Sequence, residues 1–243
     1  MYYMTNIAII QARMDSTRLP GKAMLSLDCI PAIQHVIRRT MNTMFIDKTV
    51  VATTTKDRDR IIAKHASIEG AEVFQGDEDD VLGRVRNAAE QYDSKLVIRV
   101  TADNPLVCPK IIDTAIQKIT ECNAVYVSNK VDNTFPSGFD VEVFTFSSLV
   151  QVERRAEDPH YREHVTPYYR DFDEFSVANL TATEVFTEPH MQDRTDLRLT
   201  LDNPDDYELL KTVYDNINYD STVDVGDAIE YIDAHNLGSI NTT

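Results

Sequence analysis

The 243-residue chain reads as an α/β protein with a mostly parallel sheet covered by helices on both sides. Three observations predict this. Short β-branched apolar runs alternate with amphipathic helical stretches throughout the first half. The first run, Ile7 to Ile10, is apolar at every position, as a strand buried on both faces should be. No linker rich in Gly, Ser or Pro interrupts the chain, so residues 1–243 are expected to form one domain wound in right-handed crossovers.

After Ile7–Ile10 and a polar loop, Pro31 sits at a plausible first helical position, and Ile33, Val36, Ile37, Thr40, Met41 and Met44 repeat at helical spacing. Thr49–Thr53 predicts a second strand, Arg58–Ile68 a helix ending near Gly70, and Glu72–Phe74 a third strand. Asp79–Tyr92 reads as helical with acids in its first turn, Leu96–Val100 as a fourth strand, and Lys110–Glu121 as a helix behind Pro109. Beyond Ala124–Ser128 the pattern weakens. Asp140–Phe144 alternates strictly, 158–171 is rich in His, Tyr and Arg, Phe175–Leu180 and Leu197–Leu201 are apolar, and Asp205–Asn216 and Val225–His235 predict helices. Residues 145–195 are the expected irregular excursion from the sheet, or a dimer arm.

Composition excludes several classes. With 24 Lys+Arg against 40 Asp+Glu, the net charge of −16 opposes binding to a nucleic-acid backbone or an anionic lipid surface. Cys29, Cys108 and Cys122 form no CxxC pair and are too few for a disulfide framework, which predicts a reducing cytoplasm. The opening MYYMTNIAII predicts neither a signal peptide nor a membrane span. An anionic substrate would therefore need a local concentration of cations working against the overall field.

Such a concentration lies just after the first strand. Gln11–Lys22, QARMDSTRLPGK, carries Arg13, Arg18 and Lys22 against one acid, Asp15, with hydroxyls on Ser16 and Thr17 and a turn-permitting Gly21. At the carboxyl end of a central strand, this loop lies where open α/β sheets bind ligands, and it could cradle a polyphosphate. A solvated basic turn is the equally weighted alternative. Neither a Walker loop nor GxGxxG is present. A second cluster, Thr101–Leu106 (TADNPL), places Asp103 just past the fourth strand and facing the same crevice, with an Asx turn capping the strand end as the equally weighted alternative for this cluster alone. In a third, Arg198–Leu210, Asp202 comes after a predicted strand while Asn203 alone could cap the helix starting at Pro204. Two carboxylates at strand ends facing a cationic loop suit a Mg²⁺-nucleotide site, because Mg²⁺ takes few carboxylates and completes its shell with phosphates and water.

At these stretches the chain resembles the SpsF family of spore coat polysaccharide biosynthesis proteins, within the cytidylyltransferases that make CMP-activated acidic sugars. The matching pieces are IIQARMDSTRLPGK, VVATTT, VFQGDEDDVLGR, VIRVTADNPLV, YVSN, FPSGFDVEVF, REHVTPY and LRLTLDNPDDYELL, in family order from about residue 7 to about 215. The resemblance implies a Rossmann-like nucleotidyltransferase fold, similar to the A-type glycosyltransferases: a three-layer sandwich with a mostly parallel mixed sheet. It implies CTP over the first loop, contacted from Gln11, Ala12, Arg13, Ser16, Thr17 and Lys22, with Arg84, Arg99, Thr101 and Asp103 as further nucleotide contacts. Arg13 and Lys22 match phosphate-contacting positions and would neutralise the leaving group; Asp103 and Asp202 match the aspartates that hold Mg²⁺. The loop is less Gly-rich than in CMP-sugar synthetases.

The implied reaction transfers CMP from CTP to a sugar acid or related small acid and releases pyrophosphate. Acceptor contacts are expected from Asn129, Asp140, Glu142, Glu163 and His164. Asp140 and Glu142 would share one face of an extended strand, either for sugar hydroxyls or a metal, or simply as a polar face opposite Val141 and Val143. His160 and His164 stand four apart, but Tyr161 occupies the place where HExxH needs Glu. The acids 77–80 are read as helix capping rather than an ion patch. A nucleotide-sugar glycosyltransferase and a non-catalytic nucleotide-binding partner are the competing functions, and a homodimer is the possible assembly.

Overall fold

The computed structural model describes residues 5–241. Four strands run parallel in its first half: β1 (Thr5–Gln11), β4 (Lys48–Thr54), β5 (Glu72–Gly76) and β6 (Ser94–Thr101). Between β1 and β4 a short hairpin, β2 (Ser26–Leu27) with β3 (Ile30–Pro31), precedes helix α1 (Ala32–Met41). Helices α2 (Arg60–Ile68), α3 (Val81–Gln91) and α4 (Pro109–Glu121) complete the crossovers. The second half contributes β7 (Tyr126–Ser128), β8 (Glu142–Thr145) and β9 (Val177–Asn179). The seven-stranded order is β5-β4-β1-β6-β8-β7-β9, with β8 antiparallel to both neighbours and β9 parallel to β7. This is the three-layer, mostly parallel mixed sheet that the sequence predicts.

Alternation along β1 divides the core. Ala8 and Ile10 face one layer with Ile33, Val36 and Ile37 of α1 and Ile111 and Ile112 of α4. Ile7 and Ile9 face the other with Leu82 and Val85 of α3, Tyr126 and Phe144. All four β1 side chains are fully buried, and burying each isoleucine is worth about 2 kcal/mol. The acids before α3 do cap it: Asp80 Oδ1 accepts from the Gly83 amide at 2.9 Å, and Asp77 Oδ1 accepts from Asp79 and Asp80.

Residues 145–195 hold α5 (Phe146–Arg155), α6 (Pro159–His164), α7 (Pro167–Asp171), β9 and α8 (Ala182–Val185). Leu149 and Val152 of α5 pack against the sheet, Tyr169 of α7 stacks 4.7 Å from Tyr126, and β9 extends the sheet edge. The chain then forms α9 (Pro204–Asn216) and α10 (Val225–Ala234). Among the described residues no helix is long and apolar enough to cross a membrane.

Several boundaries differ from the sequence reading. Pro31 closes the hairpin and flanks α1 rather than entering it, and the helix stops at Met41, leaving Met44 exposed beyond its end. The strand expected at Asp140–Phe144 starts at Glu142 and lies inside the sheet; Val143 packs into one core layer and Phe144 into the other, so both of its faces are covered. Leu197–Leu201 forms no strand. It is an extended segment whose Leu199 amide donates to Ser137 O at 2.6 Å and whose Leu201 amide donates to Asp103 O at 2.7 Å.

Gly138 makes that close approach possible. Its φ is +104°, and a Cβ there would stand 2.4 Å from the Leu199 carbonyl carbon. Gly138→Ala should therefore lower stability by about 3 kcal/mol. Gly70→Ala, at φ +81° but in open space, should cost about 1 kcal/mol. Denaturant unfolding of both variants checks the difference; equal losses would mean that the approach carries no weight.

Candidate active site

One cavity of about 730 Å³ opens at the carboxyl ends of β1 and β6 and brings three remote segments together. The first is the loop after β1. Buried Asp59 anchors it, accepting from the Met14 amide at 2.7 Å. Gly21, at φ +73°, turns the chain so that its amide reaches Met14 O at 2.9 Å, which aims Lys22 back into the cavity. The second segment is the end of β6, with Thr101 and Asp103. The third is the extended run before α9. There Asn203 caps the helix and buried Asp206 reciprocates by accepting from the Asp202 and Asn203 amides at 2.9 and 3.1 Å.

These segments meet at Lys22. Its Nζ lies 2.6 Å from Asp103 Oδ2 and 2.7 Å from Asp202 Oδ1. Arg18 reaches Asp202 Oδ1 at 3.0 Å, while Arg198 donates to Asp202 Oδ2 at 2.9 Å. Burial alone would lower the Lys22 ammonium, but Asp103 and Asp202 outweigh it and hold the group above its ordinary value. Burial would likewise raise the Asp202 carboxyl, yet its cationic partners, Lys22 foremost, keep it below the usual carboxylate range.

Gln11, Ala12, Arg13, Ser16, Thr17, Lys22, Arg99, Thr101, Asp103 and Asp202 all line the cavity, as do Asp140, Glu142, Glu163 and His164. Two expected contacts do not. Arg84 is buried on α3 and donates to the Asp77 carbonyl, so it braces the capping turn instead of facing nucleotide. Asn129 is buried too. Its amide bridges Phe139 O at 2.8 Å and the Val141 amide at 2.9 Å, tying β7 to the approach of β8.

Glu142 lines the cavity, but its charge is spent. It is nearly fully buried, pairs with Arg99, and accepts from Thr166 and from Tyr126 at 2.6 Å. Burial would raise its carboxyl; Arg99 and the two hydroxyls more than reverse this and hold it below the usual range. Arg99 also donates to Gln11 Oε1 at 3.1 Å, so Glu142 fixes Gln11 through Arg99. The shared face expected for Asp140 and Glu142 is thus split: Asp140 precedes the strand and pairs with Lys130.

Sequence reasoning missed Asp59, Asp206 and Arg170. The first two sit in charged runs that look solvated, and only their complete burial reveals them. Arg170 lines the cavity from α7 and, among the described residues, has no carboxylate within ion-pair distance; its Nη1 donates to Lys130 O at 3.4 Å. Asp15, Asp103, Asp140, Glu142, Glu163 and Asp202 match the six Lys and Arg side chains of the lining in number.

Asp103 and Asp202 suit a hard cation, with one carboxylate oxygen each facing a common point. No group of three His, Cys, Asp or Glu side chains able to hold a metal occurs among the described residues. This donor set fits Mg²⁺ that draws its remaining ligands from phosphates and water. The rings of His160 and His164 are 4.8 Å apart, without a third ligand beside them among the described residues.

The sequence model of the family described as cytidylyltransferase matches residues 7–224. The chain belongs to the cytidylyltransferase family. It is 35% identical over 214 residues to the spore coat polysaccharide biosynthesis protein SpsF of Bacillus subtilis, covering 85% of each chain. It is 36% identical over 115 residues to the 3-deoxy-manno-octulosonate cytidylyltransferase of Geotalea daltonii, covering 47% of this chain and 44% of that one. The structure of a cytidylyltransferase from Leptospira borgpetersenii serovar Hardjo-bovis superposes with a TM-score of 0.89 at 30% identity, covering 99% of both chains. As a member of this family, the chain is a nucleotidyltransferase.

Glu142→Gln separates bracing from acceptor binding. Removing the charge leaves the half-buried Arg99 without a counter-ion, so stability at pH 7 should fall by about 2 kcal/mol. Because the folded carboxyl sits below its unfolded value, the wild-type advantage is present above that value and lost as pH falls through the folded one, so the two melting curves should converge in acid. An unchanged Tm with a raised acceptor KM would instead make Glu142 an acceptor contact.

Proposed function

We propose that the protein is a Mg²⁺-dependent cytidylyltransferase that transfers CMP from CTP to a sugar acid or related small acid and releases pyrophosphate, in the synthesis of a surface polysaccharide. The convergence of Asp103 and Asp202 on Lys22 carries this reading, because two carboxylates from separate segments facing the loop cations Lys22 and Arg18 suit a metal-chelated triphosphate. The likeness to SpsF supports the polysaccharide setting. That to 3-deoxy-manno-octulosonate cytidylyltransferase supports a sugar acid, and the free thiols of Cys29, Cys108 and Cys122 suit a reducing cytoplasm.

The chemistry is in-line displacement. An acceptor hydroxyl oxygen attacks the α-phosphorus and gives up its proton to water, its bond to phosphorus forms as the bond to the bridging oxygen breaks, and pyrophosphate leaves with the electron pair. Mg²⁺ at Asp103 and Asp202 would supply Lewis-acid neutralisation of the phosphoryl oxygens. Arg13, Arg18 and Lys22 hold the phosphates and stabilise charge on the leaving group. Arg170 is positioned to hold the acceptor's carboxylate, with His164 and Glu163 on the neighbouring helix in reach of the cavity. A glycosyltransferase using Asp140 and Glu142 as its metal pair fits less well, since Glu142 already neutralises Arg99.

Incubation with each of four NTPs, Mg²⁺ and a panel of sugar acids should release pyrophosphate with CTP. Asp103→Asn and Asp202→Asn should each lower turnover about 100-fold or more. Failure of every NTP to bind at millimolar concentration overturns the reading. Arg170→Met should raise the acceptor KM about tenfold while leaving the KM for CTP unchanged.

A further inference from the structure

The Lys22 ammonium fills the space between Asp103 and Asp202, a placement that matters for metal only if these two are the metal ligands of the proposed reaction. Each carboxylate has one oxygen tied to the framework: Asp103 Oδ1 accepts from Thr101, and Asp202 Oδ2 accepts from Arg198, whose Nε is held 2.9 Å from buried Asp206. The other two oxygens are the ones that face Lys22. A cation bound to both at about 2.1 Å would fall in the space that this ammonium fills. Lysine and metal therefore exclude one another by volume and by charge.

The balance between them depends on the nucleotide. A bare divalent ion would gain two protein ligands, since no third is clustered there among the described residues, and would strand a half-buried lysine without its partners. A metal already chelated by a triphosphate brings its own oxygens and offers Lys22 a phosphate in exchange. The exchange needs only the loop side chains to move, because Thr101 and Arg198 keep both carboxylates aimed.

We propose that Lys22 is a resident counter-ion that keeps divalent metal off the nucleotide-free site and surrenders Asp103 and Asp202 only to a metal–triphosphate complex, so that metal and nucleotide enter together. Lys22 thereby sets the coupling between the two ligands, in addition to contacting phosphate.

Mn²⁺ binding without nucleotide, measured from the EPR signal of the free ion, tests this. Wild-type protein should bind Mn²⁺ at this site only at millimolar concentration, and Lys22→Met and Lys22→Ala should bind it about tenfold more tightly or better. Adding Asp103→Asn to Lys22→Met should abolish the gain, and CTP affinity should fall in both single variants. Unchanged or weaker Mn²⁺ binding in the lysine variants overturns the proposal, as does a gain that survives Asp103→Asn. Micromolar Mn²⁺ binding by wild type overturns it whether or not the variants fold. The Mn²⁺ readings use no nucleotide, so they stand apart from a failure of CTP to bind, which would remove the proposed reaction instead.

Discussion

A single ammonium held between two carboxylates organises this molecule's working end. Lys22 is 81 residues from Asp103 and 180 from Asp202, so the contact closes only when the loop after β1, the end of β6 and the run before α9 are all in place. Like-charged side chains drawn from distant parts of a strongly acidic chain would otherwise repel. The cationic loop compensates them locally, and the sheet supplies the rigid edge from which both sides are hung.

The supports behind this contact are buried acids that never touch the cavity. Asp59 fixes Met14 at the start of the loop, and Asp206 fixes Arg198 and the amides of Asp202 and Asn203. Both are fully buried, yet Asp59 accepts from the Met14 amide and the Thr54 hydroxyl and Asp206 from Arg198, Asn241 and two amides, which offsets the loss of water around them. Glu142, which does line the cavity, supports Gln11 in a related way by neutralising Arg99. The site is thus a layer of half-buried charge resting on a layer of enclosed charge.

Much of this was legible in the sequence where a local signal existed. Apolar runs marked the central strands, Pro109 and Pro204 marked helix starts, and the cationic stretch 11–22 stood out against the acidic background. The pairing of Asp103 with Asp202 came from their positions past predicted strand ends, although only Asp103 lies beyond a true strand. What failed was whatever depends on partners far along the chain. Nothing local in KDRDR distinguishes buried Asp59 from exposed Asp57, and the polar alternation at 140–144 resembles a half-solvated strand until both of its faces are packed, Val143 in one core layer and Phe144 in the other. Arg84 and Asn129 had family position in their favour, but their nearest hydrogen-bonding groups are backbone carbonyls and amides.

The two outermost strands have their own consequence for assembly. β5 has five residues and β9 only three, so neither margin offers a long row of free amides and carbonyls to a second chain. Such stubby borders discourage sheet-to-sheet polymerisation. Association through helical or loop surfaces would leave the ladder of each subunit complete in itself.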